Sequence, residues 1–211
     1  MEAMLGPHLV SIFRDISICT LWQEYYRLTS NDLGMAQMDC FNCLRWRSHF
    51  LVLNLPFENQ HVNNNLRGPC RIALLVFYNA NNQVSQPGSL LYRTLAAQLR
   101  NALEEPVRYH FWERFQGLLA WILLLGAFIT EGEPECGWFS MNITSLLQRI
   151  GRTSWNQVEP ILRRFLYLER IFQAGFARIW NSAVGSLTES TQDTLSGTDS
   201  WVPSFYDPKA T

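Results

Sequence analysis

Apolar residues recur every three or four positions along most of this chain, and no convincing run alternates with the two-residue period of a strand. The pattern therefore predicts helices throughout. The first runs from about His8 to Leu28, with Pro7 suited to its first turn. Leu9, Ile12, Phe13, Ile16 and Cys19 form one stripe on it. Val10, Ile18, Leu21, Trp22 and Tyr25 widen the apolar surface well beyond that stripe, so this helix is expected to be contacted on two sides. The run Thr29-Ser30-Asn31-Asp32-Leu33-Gly34 breaks it.

A second helix is predicted from about Met35 to Leu55, stopping at Pro56. Phe57 to Gly68 is polar and Asn-rich and reads as a loop. A third helix follows from Pro69 to Ala80, with Cys70, Ala73, Leu74 and Phe77 along one face, and Asn81 to Gly88 is a second loop. Ser89 is placed to cap a fourth helix reaching Glu104, in which Leu91, Leu95, Leu99 and Leu103 repeat every four residues. The most apolar helix is expected over Tyr109 to Thr130, ending where Gly132 can take a left-handed turn. Trp138 to Ile150 is the next, with Gly151 just past its end. Ser154 is expected to cap one last long helix, Gln157 completing a capping-box pattern and Pro160 kinking or tightening its start. Ile161, Phe165, Leu168 and Phe172 form its stripe, continued by Phe176, Ile179 and Trp180.

Past Val184 the chain turns rich in Ser, Thr, Asp and Gly. Such a segment cannot bury enough apolar surface to offset the entropy of ordering it. The expected fold is thus all-α: a single domain of about seven to nine packed helices over 1–184, then a disordered tail over 185–211. Trp201, Phe205 and Tyr206 are the tail's candidates for a short docking motif.

Composition narrows the function. The 211 residues are 47% hydrophobic and 17% charged, with eight Trp, seven Tyr and thirteen Phe, so the chain is core-rich or expects a partner over part of its surface. A net charge of -1 lacks the basic excess with which a nucleic-acid binder neutralises phosphates. Five scattered Cys do not form a disulfide framework and suit a reducing intracellular compartment. No basic segment follows Met1, so no secretory signal is expected. The apolar run Gly117 to Thr130 falls short of the roughly 20 residues a membrane span needs, which makes it a core helix.

Chemistry-bearing patterns are weak. No Gly-rich phosphate loop, no G-x-S-x-G and no H-E-x-x-H is present. Cys40 and Cys43 form a lone C-x-x-C without a second pair, expected to be core or boundary thiols. Glu131, Glu133 and Glu135 read as a solvated acidic turn, and Asn142-Ile143-Thr144 as a mid-helix sequon without significance. Residues 145–162 have a helix-turn-helix outline with Arg149, Arg152, Arg163 and Arg164 nearby. The second helix is too apolar to present polar groups to base edges, so a packed helical hairpin is expected. No catalytic, metal-binding or cofactor-binding set is expected.

What remains is an order of motifs. Pro69-Cys70-Arg71-Ile72-Ala73-Leu74-Leu75 follows Arg47-Ser48-His49-Phe50-Leu51-Val52-Leu53. Then come Glu131-Gly132, Pro134-Glu135, Trp138-Phe139, Ser154-Trp155, Phe165-Leu166-Tyr167 and Trp180. In this order the chain resembles the fungal-specific transcription factor domain, the helical regulatory module downstream of binuclear zinc clusters. Tyr167 departs from the more usual Trp, and Thr130 from a usual small residue. The resemblance spans roughly residues 40–184 and implies an all-helical regulatory domain acting in the nucleus on RNA polymerase II transcription. It marks Cys70, Arg71, Glu131, Gly132, Trp138, Phe139, Ser154, Trp155, Phe165, Leu166 and Trp180 as structural signature positions. The six-Cys zinc cluster is missing from this sequence, so neither zinc nor DNA contact carries over to any residue here. That fits either a relative without the cluster or a chain whose beginning has been lost.

The expectation is therefore a regulatory or protein-interaction domain that answers to protein partners or a small effector, without nucleic-acid or membrane contact of its own. Its location is the nucleus by resemblance, and otherwise the cytoplasm. The alternatives are a stand-alone helical adaptor that homodimerises through the broad first helix, and a helical enzyme of secondary metabolism. The enzyme would need an Asp-rich metal motif that this sequence lacks.

Overall fold

The computed structural model describes residues 2–29, 34–54, 66–82, 86, 88–104 and 112–196. Among these there are eight α-helices and no strand: α1 (Glu2–Thr29), α2 (Met35–Asn54), α3 (Arg67–Asn81), α4 (Leu90–Glu104), α5 (Gln116–Ile129), α6 (Cys136–Ile150), α7 (Trp155–Leu162) and α8 (Glu169–Ser196). The all-α class and the number of helices agree with the periodicity.

The most apolar helix becomes the centre. α5 packs against α3, α4, α6, α7 and α8, and most of its side chains are buried, Trp121, Ile122, Leu124 and Leu125 completely. Its buried Thr130 hydroxyl donates back to the Gly126 carbonyl at 2.8 Å, so that polar group carries no desolvation penalty. Gly126 itself is required by a close approach: a methyl group there would run into the Phe139 ring of α6. Phe172 and Phe176 of α8 meet Phe128, and Phe172 also stacks on Phe77, so aromatic contacts join α3, α5 and α8. Among the described residues no helix is long and apolar enough to cross a membrane.

Several boundaries differ from the periodic reading. α1 is interrupted at Gly6 (φ 77°), so the continuous helix starts at Pro7, as the proline suggested. α5 starts at Gln116 rather than Tyr109, because Trp112 to Phe115 close a turn through Phe115 N–H to the Trp112 carbonyl at 3.1 Å. In α4, Leu95, Leu99 and Leu103 are buried but Leu91 is exposed and Tyr92 takes its place. Steps of four residues overshoot the 3.6-residue turn and drift around the helix.

The predicted last long helix is two helices. α7 ends at Leu162, and residues 163–168 form a turn before α8. The tightening is at the end of α7, downstream of Pro160, whose missing N–H would have bonded near the start. The amides of Arg164 and Phe165 reach back three residues, to Ile161 and Leu162, in a 3₁₀ pattern. Ser154 takes the extended N-cap backbone, yet its side chain makes no capping bond; Gln157 N–H bonds to the Ser154 carbonyl instead, so the side-chain capping box does not form. At the other end α8 continues through Gly185 to Ser196. Extending an existing helix adds one hydrogen bond per residue fixed, which a polar composition does not prevent. Residues 197–211, with Trp201, Phe205 and Tyr206, lie outside the described residues.

Candidate functional site

The eleven signature positions do not converge on one pocket. They occupy the joints between helices. Arg71, on α3, donates from Nε to the Val52 carbonyl and from Nη2 to the Leu53 carbonyl, both at 2.8 Å, and so closes the C-terminal end of α2. Burial holds its pKa below the ordinary guanidinium value. Cys70 beside it is fully buried, and that burial pushes its thiol up to about 12.

At the α5–α6 corner, Gly132 takes φ 85° and Glu131 forms a two-pronged ion pair with Arg178 of α8 at 2.7 Å. Trp138 meets Phe139 edge-to-face at 5.0 Å and lies under the Arg100 guanidinium of α4 at 5.6 Å. At the α7–α8 turn, Phe165 stacks on Trp121 at 6.0 Å, and the Trp121 indole donates to the Leu166 carbonyl at 2.8 Å. Ser154 precedes α7, Trp155 is half-buried against the core, and Trp180 is fully buried. These residues hold the fold together.

The surface offers a different candidate. α1 and α2 pack together as a hairpin over α3. Leu9, Ile12, Ile16 and Cys19 of α1 point inward, as do Ser48 and Val52 of α2. The opposite sides are also apolar. On α1 the outward positions are Arg14, Ile18, Leu21, Tyr25 and Leu28, spaced 4-3-4-3. On α2 they are Asp39, Cys43, Trp46, Phe50 and Leu53, with the same spacing. Leu21 is 69%, Leu28 73%, Trp46 67% and Phe50 64% exposed. Alternating steps of four and three residues are the pattern of a helix-packing seam. Two neighbouring helices thus each leave an apolar stripe in solvent.

Beneath this face lies a small polar cleft between α1, α2 and α3, lined by Thr20, Gln23, Arg45, Ser48, Tyr78 and Asn81 among others. Its cavity of about 10 Å³ suits one water molecule. Asn81 Nδ2 donates to Gln23 Oε1 at 2.9 Å, joining α3 to α1. Asn81 Oδ1 and Arg45 Nε are buried with no partner among the described residues. His49 stacks on Tyr78 at 4.2 Å, and its pKa is lowered, by burial first and by the Arg45 charge second. Burial and then Asp15 push the Cys19 thiol up to about 11.

The other sequence candidates stay apart. Cys40 and Cys43 are exposed free thiols, not core or boundary thiols, because their side of α2 faces away from α1 and α3. Among the described residues no group of three His, Cys, Asp or Glu is arranged to hold a metal ion. Of the four arginines near the helix-turn-helix outline, Arg149 faces Glu113 at 3.6 Å, Arg152 donates to the Gln157 carbonyl, and Arg163 pairs with Glu159 and Glu169. The apolar breadth of α1 predicted contact on two sides, but Ile18, Leu21, Trp22 and Tyr25 are exposed in the structure. The seam on α2 was missed, although Trp46, Phe50 and Leu53 carry its spacing, because only the fold shows which side of α2 is inward. In comparisons with protein-family models, with curated proteins and with solved structures, nothing matches this chain.

Proposed function

We propose that this chain is a regulatory, protein-interaction domain of a fungal transcription factor, which regulates RNA polymerase II transcription in the nucleus without touching DNA itself. The observation that carries the interaction half is the outward apolar face of α1 and α2, where large side chains at seam spacing are left in solvent. The transcriptional half rests on the order of the motifs from Cys70 to Trp180 and on their use as helix joints, as the resemblance implies for structural signature positions. The local pairing of Arg149, Arg152 and Arg163 supports a helical hairpin that braces the domain rather than one that reads bases. The same apolar face favours a second reading, a stand-alone helical adaptor.

Tethering separates the two. The chain is fused to an unrelated DNA-binding domain in a fungal host carrying a matching reporter. A regulatory domain changes reporter output several-fold relative to the DNA-binding domain alone. Unchanged output from an equally abundant nuclear fusion would reject the transcriptional reading and leave the adaptor.

A further inference from the structure

We propose that Cys40 and Cys43 of α2 form a two-thiolate site for a single soft monovalent metal ion, Cu(I). The site goes beyond the regulatory reading and does not depend on it.

Placement is the first argument. Cys40 and Cys43 are free and exposed, whereas Cys19 and Cys70 are buried and Cys136 is half-buried. A buried thiol fills space as a small hydrophobe, and that role is closed to an exposed pair. Both residues lie inside α2, past its first turn, and three positions apart. That spacing sets them on one side of the helix, one turn above the other.

Distance decides between the two things a pair of thiols can do. Side chains one helical turn apart have Cβ atoms about 5–6 Å apart. A disulfide needs them at about 3.5–4.5 Å, so closing one would distort the helix. An ion between the sulfurs asks for less. With two metal–sulfur bonds of about 2.3 Å each, the sulfurs stand up to roughly 4.6 Å apart, which the helical spacing accommodates.

The number of ligands then selects the ion. Among the described residues no third His, Cys, Asp or Glu completes a metal-binding group. His49, on the same helix, is stacked on Tyr78. Met38 is exposed but lies two residues before Cys40, off the side of the helix that carries the thiols. A structural zinc ion takes four ligands, and hard cations take oxygen. Soft thiolates select Cu(I), whose filled d shell allows linear binding by two ligands. On binding, each thiol releases its proton to solvent and each sulfur donates a lone pair to the ion. The copper is neither oxidised nor reduced, and the product is a singly negative bis-thiolate. Exposure leaves both sulfurs open to a donor that delivers the ion by ligand exchange.

Anaerobic titration of the reduced full chain with Cu(I), against a chromogenic Cu(I) chelator of moderate affinity, tests the site. Helical circular dichroism shows that each variant is folded. The wild-type chain is expected to take one equivalent from the chelator. The bound ion is expected to protect Cys40 and Cys43 together from iodoacetamide, as read by mass spectrometry. Cys40→Ser and Cys43→Ser are each expected to lose the equivalent, and Cys136→Ser to keep it. A wild-type chain that takes no copper overturns the proposal. So does copper held equally well by either serine variant, or a bound ion that equimolar Zn²⁺ displaces, since zinc would require ligands beyond these two.

Discussion

The Trp121 indole N–H donates to the Leu166 carbonyl at 2.8 Å inside the core. Leu166 lies in the turn between α7 and α8, where its carbonyl is outside either helix, and Trp121 sits on the central helix α5. One side chain thus satisfies a buried backbone acceptor and fixes where the chain leaves α7. Trp121→Phe keeps a ring but removes the donor and some volume. It is expected to cost about 2–4 kcal/mol in chemical denaturation. A change within the ~0.5 kcal/mol of an ordinary surface substitution would show that the turn does not depend on this bond.

Two helical glycines should respond with opposite sign. Gly126→Ala improves helix propensity yet drives a methyl into the Phe139 ring, and overpacking of this kind costs about 1–3 kcal/mol. Combined with Phe139→Leu, the pair should cost less than the sum of the single changes. At Gly185, inside α8, an added methyl meets nothing within 4 Å outside the helix's own backbone, so Gly185→Ala should stabilise by roughly 0.5–1 kcal/mol. Thermal melts of the four variants, Phe139→Leu alone among them, check the signs.

Arg71 links α3 to the last carbonyls of α2 through two charge-assisted bonds. Lysine cannot reproduce that fork. Arg71→Lys is expected to lose about 1–3 kcal/mol, and hydrogen exchange should speed up in α2 while α5 stays protected. Uniform acceleration through both helices would mean that Arg71 supports the core at large and not this joint.

The buried thiols make base a destabilising condition. The Cys70 thiol is pushed up to about 12 and the Cys19 thiol to about 11, in each case mainly by burial. In the unfolded chain both ionise near the ordinary value of 9.0, so the folded state holds protons that the unfolded state has released. Stability is therefore constant below about pH 9 with respect to these groups and falls as the pH rises above it. Cys70→Ala should flatten part of that fall. At neutral pH, iodoacetamide should label exposed Cys40 in the native chain and reach Cys70 only on unfolding, as read by mass spectrometry.

Much of this fold was legible because helices announce themselves locally. Periodicity found α2, α3, α4 and α6 to within a few residues, and Gly151, at φ 63°, ends α6 where the sequence placed it. The break at 163–168 was invisible because Arg163-Arg164-Phe165-Leu166-Tyr167-Leu168 contains neither Gly nor Pro. Its position depends on Trp121, 45 residues away in sequence. The double fork from Arg71 is likewise a contact between helices that no local pattern encodes. The candidate face was half legible. The surplus of Ile18, Leu21, Trp22 and Tyr25 on α1 marked a second apolar side, whereas no local pattern shows that Trp46 and Phe50 face outward, since only the fold turns Ser48 and Val52 inward.

The central claim is that α1 and α2 transmit regulation through their outward apolar face. The most direct measurement is reporter output from tethered fusions carrying Trp46→Ser or Phe50→Ser, compared with Met141→Ser, an equally exposed apolar residue on α6 away from the face. The account predicts that the two seam variants lose the effect on the reporter while remaining folded and abundant, and that Met141→Ser keeps it. Seam variants that regulate the reporter as strongly as the unaltered chain would contradict it.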